Sequence, residues 1–357
     1  MIYSLFVFII LYIFVLSFAS ISANNIRHKK QKWNTSTILL LLTFSFIIGL
    51  RWDVGMDYMT YYNLCVGNFI YDSQIERIEL IPQMLFIICN KLYLPYYIWF
   101  IIMAFLQIYF IVKASFKGYV KYLPTCIFFF MVLFLGYNMN IIRQGVAYSI
   151  VFYAISFISE EQKKKYFYYI ILASLFHKSA LILLPFGFLQ YKGININRFI
   201  QLIIYLSSTF SGIYIVDIII SQVEPIIKII WGEDKYDRML GNELENQVNS
   251  GYGVLFIDLL CIIIILFSKQ ILRLHENIKP YYWLFFIGAC LFHPTMRLQY
   301  FLRINLYFFI NIILLIAIVI KDIKNPIINF IIYFLSICMI IVTAISSNWS
   351  FVWDRIF

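Results

Sequence analysis

Long apolar runs, separated by short stretches that hold most of the charge, recur along the whole chain. A helix needs about 20 apolar residues to cross the roughly 30 Å hydrocarbon core of a bilayer. Of the 357 residues, 62% are hydrophobic and only 13% are charged, whereas soluble domains carry about a quarter charged residues. The sequence therefore predicts an all-α, polytopic membrane protein.

We predict about 10–12 transmembrane helices with additional re-entrant or half-membrane helices, all in a single domain that covers residues 1–357. Residues 2–22 resemble a signal sequence but lack its charged start and its cleavage pattern, so they are kept as the first span. Ten spans are placed by their apolar runs at 2–22, 36–50, 95–113, 122–139, 142–159, 199–218, 253–272, 280–292, 298–320 and 326–346.

Two further apolar segments do not fit a simple crossing. Residues 77–93 are short and bracketed by polar residues, which predicts a half-buried helix on the outer surface. Residues 166–190 begin and end at basic loops, with His177 and Lys178 in the middle. This pattern predicts a hairpin that dips in from the cytoplasm, where irregular backbone must be covered or line a cavity. The main outer loops are expected near 51–76 and 233–252.

Lysine and arginine are divided unequally between the two faces of this topology. Basic residues mark cytoplasmic loops, and alternation then places both termini outside. The inner face carries 14 Lys and 3 Arg, and the outer face 4 Lys and 7 Arg. Orientation needs only positive charge, whereas the planar guanidinium suits a diphosphate. We therefore predict an anion site on the outer face. Because short loops account for the net charge of +10, we expect no nucleic-acid binding.

The cysteines suggest neither a metal nor a redox site. No CxxC pair or neighbouring histidine cluster occurs, so we expect small core residues, no metal and no cofactor. The six are Cys65, Cys89, Cys126, Cys261, Cys290 and Cys338.

Two groups of residues at the ends of spans are candidates for chemistry. In RWDVGMDY, Arg51 stands beside two carboxylates four residues apart, Asp53 and Asp57. They supply either an anion contact and a general base, or a pair of ligands for a divalent metal, or only a solvated helix end. Arg143 and Gln144 stand at the outer start of an apolar span. Ionisable groups in spans tend to mark function, but an arginine that snorkels to the interface explains the position equally well.

Two more groups interrupt apolar sequence. His177 is either a proton acceptor or a structural histidine, and Lys178 either binds an anion or caps a bend. Arg297 and Arg303 open the ninth span, with Tyr307 one turn beyond Arg303. A buried arginine needs an anionic partner, and the candidates for Arg303 are the carboxylates of the 51–57 segment or a bound phosphate.

Four stretches, spread over most of the chain, resemble the EpsG-like family of Wzy-type polymerases of O-antigen, capsule and exopolysaccharide. They are RWDVGMDYMTYY at 51–62, RQGVAYSIVFYAISFISEEQKKKYFYYIILASLFHKSALILLP at 143–185, DKYDRML with SGYGVL around 234–255, and RINLYFF at 303–309. The C-terminal SNWSFVWDRIF departs from the family pattern, so no role is transferred to it.

The resemblance implies a metal-independent glycosyltransferase of the bacterial cytoplasmic membrane. Its active site would face the exterior, and it would move a growing glycan from undecaprenyl diphosphate to a lipid-linked repeat unit. It implies roles for Arg51, Asp57, Arg143, Gln144, His177 and Arg303. Arginines would then hold the diphosphate, and His177 or Asp57 would take the acceptor proton.

Two other functions remain open from the sequence: a flippase for the lipid-linked unit and a ligase that passes finished glycan to another acceptor. Flippases usually consist of repeated halves, and we find no internal repeat. The expected partners are the lipid-linked oligosaccharide, membrane lipid and a chain-length regulator protein.

Overall fold

The structure, a computed structural model, divides into two compact units, residues 1–189 with 320–357 and residues 190–319. It describes residues 2–67, 78–189, 191, 194, 196–210, 212, 251–274, 276–296, 299–347 and 349–352. Within these ranges the secondary structure is helical and contains no β-strand. The prediction of a single domain stays a prediction, and each unit is described by itself.

The helices follow the predicted apolar runs. In the first unit they are α1 (Ile2–Lys29), α2 (Thr35–Gly49), α3 (Tyr58–Val66), α4 (Leu80–Lys91), α5 (Tyr97–Ser115), α6 (Leu123–Asn140), α7 (Ile142–Ser159) and α8 (Lys163–Ser174), with 3-10 turns at Val120–Tyr122 and Lys178–Gly187. In the second unit they are α9 (198–210), α10 (Tyr252–Leu266), α11 (Ser268–Leu274), α12 (Lys279–Thr295), α13 (Gln299–Phe309) and α14 (Ile312–Ile318), with a 3-10 turn at Glu276–Ile278. A π-helical turn, Val319–Ile323, leads to α15 (Pro326–Ser346), which belongs to the first unit.

The prediction of an all-α polytopic membrane protein is confirmed. Five described helices are long and apolar enough to cross a membrane, and a sixth span results if α10 and α11, bent by 62° at their junction, cross together. Each predicted span coincides with a helix, although 199–218 is described only in part. Residues 68–76 of one predicted outer loop and 233–250 of the other lie outside the described residues.

Small and polar residues allow close packing in the first unit. A Cβ atom on Gly49 would lie 2.6 Å from the Cα atom of Ile101, so α2 and α5 touch where only glycine fits. The hydroxyls of Ser22 on α1 and Thr37 on α2 form a buried hydrogen bond of 2.6 Å. Asn34 caps the start of α2 by accepting from the backbone N–H of Thr37 at 3.1 Å.

One end of the first unit, called here the lysine end, is held by ion pairs between loops and helix ends. Lys117 contacts Glu160 at 2.9 Å, and Lys121 pairs with Asp322, which also accepts from the Tyr122 hydroxyl. Lys117 and Lys121 belong to one of the basic clusters that mark the predicted cytoplasmic loops. The assignment of this end to the cytoplasm stays a prediction.

The opposite end of the first unit, called here the arginine end, gathers the segments around Arg51 and Arg143. The backbone N–H of Met56 donates to Asn140 Oδ1 at 2.7 Å, which joins the segment before α3 to the end of α6. Ser350 accepts from the backbone N–H of Trp52 at 2.8 Å. The C-terminal segment, to which no role was transferred, thus packs against the residues that follow α2.

Residues 163–187 form a hairpin, as predicted for 166–190, while its entry from the cytoplasmic side stays a prediction. The helix α8 rises from the lysine end, and the 3-10 turn Lys178–Gly187 returns beside it. The Tyr166 hydroxyl donates to the carbonyl of Leu183 at 2.5 Å, and a Cβ atom on Gly187 would lie 2.6 Å from the Tyr166 ring. His177 and Lys178 therefore stand at the tip of the hairpin.

The cysteine prediction is only partly correct. All six cysteines are free, and Cys65, Cys89, Cys126 and Cys261 are buried. Cys290 is partly exposed, and Cys338 is exposed on α15, most of whose surface faces outward. An apolar helix that would face lipid leaves a small side chain exposed, so an apolar run does not by itself indicate a core position.

Candidate functional site

The site at the arginine end is built around Glu79, the residue that immediately precedes α4. Its Oε2 atom accepts a hydrogen bond from Nη1 of Arg143 in the first turn of α7. Its Oε1 atom accepts from the backbone N–H of Lys178 at 3.3 Å. One carboxylate therefore connects α4, α7 and the tip of the hairpin, three segments that are far apart in the sequence.

A row of stacked aromatic rings lies beside Arg143 and orients its guanidinium. Its Nε–H donates to the hydroxyl of Tyr61 on α3 at 3.3 Å, and its guanidinium carbon lies 5.9 Å from the Tyr61 ring centre. Tyr61 stacks on Trp99 with centroids 5.1 Å apart, and Trp99 stacks on Phe86 of α4 at 4.6 Å. Stacked rings of this kind add to the burial energy. The guanidinium thus has a fixed plane.

Electrostatics at Tyr61 link Asp57 to the same site. Burial raises the pKa of the Tyr61 phenol, Arg143 opposes that shift, and the carboxylates of Asp57 and Glu79 add to it. Asp57 is partly exposed at the start of α3, where its side chain does not cap the helix. The candidate base Asp57 therefore lies near the arginine, while Tyr61 keeps its proton at neutral pH.

The first turn of α7 is held in place by a buried glutamine. Nε2 of Gln107, on α5, donates to the carbonyls of Asn138 at 3.2 Å and Ile142 at 3.1 Å, on the two sides of the break between α6 and α7. A Cβ atom on Gly145 would lie 2.6 Å from that nitrogen and 2.7 Å from Asn138 Oδ1. The glycine of the RQG stretch therefore leaves room for Gln107.

The hairpin tip presents two candidate side chains. His177 is partly exposed and in extended backbone conformation, and its Nδ1 atom lies 2.6 Å from the hydroxyl of Ser179. The Lys178 side chain is exposed, and its ammonium forms no ion pair with the residues described. The structure thus brings His177 and Lys178 to the arginine end, beside Arg143.

Arg143 keeps hydrogen-bond donors that no described residue uses, and its side chain is partly exposed. The Arg143 side chain is 24% exposed, whereas that of Glu79 is 10% exposed. Arg143 donates from Nε and Nη1, and its Nη2 atom has no hydrogen-bond partner in the described part of the chain. Glu79 pairs with the Arg143 guanidinium and accepts only the backbone N–H of Lys178, so Nη2 of Arg143 and the Lys178 ammonium remain as charged donors that suit an anion.

Arg51 occupies a different environment from Arg143. It is 1% exposed, and its guanidinium donates to the carbonyls of Ile48 at 2.6 Å, Val54 at 3.0 Å and Met139 at 3.0 Å. Ile48 and Met139 lie in the last turns of α2 and α6, where the helix dipoles favour a cation. Burial lowers the pKa of Arg51 to about 10, which leaves it charged at neutral pH. These contacts support a structural role, so we do not include Arg51 in the proposed anion site.

The remaining predicted residues are divided between the two units. Gln144 is 2% exposed in the first turn of α7. In the second unit, Arg303 is partly exposed on α13 and Tyr307 is fully buried one turn later. Arg297 lies outside the described residues. The predicted substrate contacts of Gln144, Arg297, Arg303 and Tyr307 stay predictions.

The second unit contains a polar group that the sequence interpretation missed. Oδ1 of Asp258 on α10 is 2.7 Å from Nε2 of His293 on α12 and accepts from the Tyr205 hydroxyl of α9 at 2.7 Å. The histidine and aspartate side chains are 14% and 19% exposed. An aspartate in the middle of an apolar run is the sequence signal that would have pointed to it.

Glu79 was also missed as a site residue. The prediction of a short helix at 77–93 used it only as a polar boundary. A carboxylate beside that short apolar segment, together with an arginine inside a span, was the available signal, since a buried arginine needs an anionic partner. No cluster of three or more metal-binding side chains occurs among the described residues.

Comparison with known families matches residues 34–355 to the model of the EpsG family. No curated protein and no solved structure matches the chain. The matched range begins just before α2 and extends beyond the C-terminal segment that packs on Trp52, so it includes Glu79, Arg143 and the hairpin tip.

Proposed function

The chain belongs to the EpsG family, and from this premise we propose that it is a polysaccharide polymerase of the bacterial cytoplasmic membrane. It would be a glycosyltransferase that moves a growing glycan from undecaprenyl diphosphate to a lipid-linked repeat unit on the outer face. The observation that supports this best is the convergence of Arg143, His177 and Lys178 at one end of the first unit, around the Glu79 carboxylate.

The proposed reaction needs little from the protein beyond charge stabilisation and proton removal. A hydroxyl at the nonreducing end of the incoming unit attacks the anomeric carbon of the growing glycan. A glycosidic C–O bond forms, the C–O bond to the diphosphate breaks, and undecaprenyl diphosphate leaves while the hydroxyl proton passes to the protein. Because the leaving group gains negative charge, preorganised cations and N–H donors lower the barrier.

We assign diphosphate binding to Arg143 and Lys178. The Nη2 atom of Arg143 and the exposed ammonium of Lys178 have no hydrogen-bond or ion-pair partner among the described residues. A guanidinium held by Tyr61 and Glu79 presents its remaining N–H groups in a fixed direction, which favours hydrogen bonds to phosphate oxygens. Gln144, Arg297, Arg303 and Tyr307 stay proposed contacts to the substrate.

We assign the role of general base, which takes the proton of the acceptor hydroxyl, to His177. Among side chains, histidine is the one most often used as a general base, because a free imidazole titrates near neutral pH. The hydrogen bond between its Nδ1 atom and Ser179 fixes the direction of the ring. Asp57 is the second candidate from the sequence, and its influence on the pKa of Tyr61 is consistent with a position near the site.

The test compares glycan chain length in cells that carry Arg143→Ala or His177→Ala with cells that carry Lys117→Ala. Lys117→Ala also breaks an ion pair of the first unit, but at the lysine end. We expect all three proteins at normal levels, single repeat units with the first two, and normal ladders with the third. Unchanged ladders with both site variants would exclude the proposed site.

The lipid carrier separates this function from the two alternatives. Loss of a polymerase leaves single units on undecaprenyl diphosphate outside the membrane. Loss of a flippase would leave those units on the cytoplasmic side, and loss of a ligase would leave full-length glycan on the carrier. Lipid extraction with a probe of sidedness therefore identifies the step.

A further inference from the structure

The Glu79 carboxylate is bound as a substrate anion would be bound. A guanidinium N–H and a backbone N–H, from Arg143 and Lys178, point to its two oxygens. These are the donor types that proteins use for phosphate and carboxylate groups. Glu79 does not use its side chain to cap its own helix, α4. Its position is therefore set by the site and not by the needs of the helix.

The three groups differ in how far they are exposed. The Glu79 side chain is 10% exposed and that of Arg143 is 24% exposed, while Lys178 is exposed. The carboxylate is therefore the least exposed of the three groups. Solvent reaches part of the Arg143 side chain and the Lys178 side chain more readily than it reaches Glu79, so an anion can contact the two cations without replacing the carboxylate.

We propose that Glu79 is a positioning residue for the diphosphate site, one that stays on Arg143 and on the hairpin tip while the substrate anion binds beside it. The inference rests on the proposed function. Glu79 fixes the orientation of the Arg143 guanidinium and the position of the hairpin tip that carries His177 and Lys178. Its contribution to catalysis acts through those residues.

Displacement of Glu79 by the substrate is the competing view, and desolvation argues against it. A carboxylate released from both donors in a buried position would keep its charge without a partner, which is strongly unfavourable. If Glu79 remains in place, the buried carboxylate keeps both hydrogen bonds, and the substrate uses only donors that are already open. The two views predict opposite effects of removing the charge.

Glu79→Gln distinguishes the two views, because they predict opposite changes in affinity for the diphosphate lipid. The variant keeps the length of the side chain, but one amide oxygen cannot accept fully from both Arg143 and the Lys178 backbone. If Glu79 positions the site, the variant binds the diphosphate lipid more weakly. If Glu79 only fills an empty anion site, the variant binds it more tightly, because a competing charge has been removed.

The experiment measures how undecaprenyl diphosphate shifts the thermal unfolding midpoint of the full-length protein in detergent, with undecaprenol as the probe without phosphate. Ligand binding to the folded state raises the midpoint as concentration exceeds Kd. We expect at least about a tenfold higher Kd for Glu79→Gln than for the natural protein, about the loss of one charge-assisted hydrogen bond. Glu160→Gln, which weakens the ion pair with Lys117 at the lysine end, serves as the matched control and should leave Kd unchanged.

The outcomes distinguish this inference from the proposed function. An unchanged or lower Kd for Glu79→Gln overturns the positioning role, although the diphosphate site itself stands. If the natural protein responds equally to undecaprenol and the diphosphate lipid, the proposed anion site fails and the inference fails with it. A lower midpoint without ligand but the same Kd indicates a purely structural residue and also overturns the inference.

Glu79→Asp makes the test independent of whether the glutamine variant folds. Aspartate keeps the charge but is one methylene shorter. It can therefore contact either the Arg143 guanidinium or the backbone N–H of Lys178, but not both at once. We expect a Kd between those of the natural protein and Glu79→Gln. A Kd equal to that of the natural protein, in a variant that cannot span both donors, would overturn the positioning role.

Discussion

Arg143 and Glu79 form an ion pair across 64 residues of sequence, between the first turn of α7 and the start of α4. A cation in the first turn of a helix is disfavoured by the helix dipole. The position of Arg143 is therefore stabilised by its partners, Tyr61 and Glu79, and not by α7. Glu79 and Tyr61 together use its Nε and Nη1 atoms. Its Nη2 atom has no hydrogen-bond partner in the described part of the chain, and the side chain is 24% exposed.

Replacement of Arg143 by lysine should separate charge from geometry. Lysine keeps the positive charge but lacks the planar fork that contacts Tyr61, Glu79 and an anion at once. We expect Arg143→Lys to be expressed normally and to lose at least about tenfold in polymer yield, equivalent to about 1.4 kcal/mol. Gel analysis of glycan length, normalised to protein level, measures it. Full-length ladders at normal yield would mean that a point charge suffices.

Arg51 should affect stability and not substrate binding. In Arg51→Met the carbonyls of Ile48, Val54 and Met139 lose their shared donor. Buried acceptors without partners cost about 1–3 kcal/mol each, so we expect a lower unfolding midpoint in detergent with an unchanged Kd for undecaprenyl diphosphate in the protein that remains folded. A variant of normal stability that has lost diphosphate binding would instead return Arg51 to the anion site, as the sequence first predicted.

These two arginines show how far the sequence determines the site. The apolar runs predict the helices because burial and hydrogen bonding within a bilayer depend on local composition. The basic loops on both sides of 166–190 predict a hairpin from the cytoplasm; the structure has a helix and a 3-10 segment packed side by side there, and the side of entry stays a prediction. Arg51 and Arg143 look alike in sequence, since both stand at the end of an apolar run. Their difference depends on which carbonyls and carboxylates tertiary packing brings near.

Other parts of the arginine end could not be predicted for the same reason. The contact between Trp52 and Ser350 joins nearly opposite ends of the chain, and a hydrogen bond between backbone atoms leaves no pattern in the side chains. Glu79 could have been suspected from the general rule that buried arginines are paired. Its choice over Asp53 or Asp57 required the position of α4, which the sequence does not specify.

The base assignment can be tested by comparing His177→Gln with Asp57→Asn. We expect His177→Gln to bind undecaprenyl diphosphate with unchanged affinity but to reduce the rate of glycan transfer by about 100-fold, within the usual contribution of general base catalysis. Asp57→Asn should retain most of the rate. Ser179→Ala, which removes the partner of His177 Nδ1, should have an intermediate effect. Loss of transfer in Asp57→Asn alone would move the role of base to Asp57.

Gly145→Ala tests the packing that holds the first turn of α7. The new Cβ atom would lie 2.6 Å from Nε2 of Gln107, so we expect a loss of about 1–3 kcal/mol in stability from overpacking. Gly136→Ala on α6 is the matched control, because a Cβ atom there would meet nothing within 4 Å, and alanine should be neutral or slightly stabilising. Thermal unfolding in detergent compares the two, and equal midpoints would contradict the steric explanation.

The polar group of the second unit should behave as one coupled network. His293 and Tyr205 share the same oxygen of Asp258, so Asp258→Asn weakens both contacts, whereas His293→Gln removes one. Neighbouring residues in a network couple by about 0.5–3 kcal/mol in a double-mutant cycle. We therefore expect Asp258→Asn with His293→Gln to be less destabilising than the sum of the single variants, measured as unfolding midpoints in detergent. Additive effects would show that the two side chains stabilise the unit independently, and that the shared oxygen has no energetic consequence.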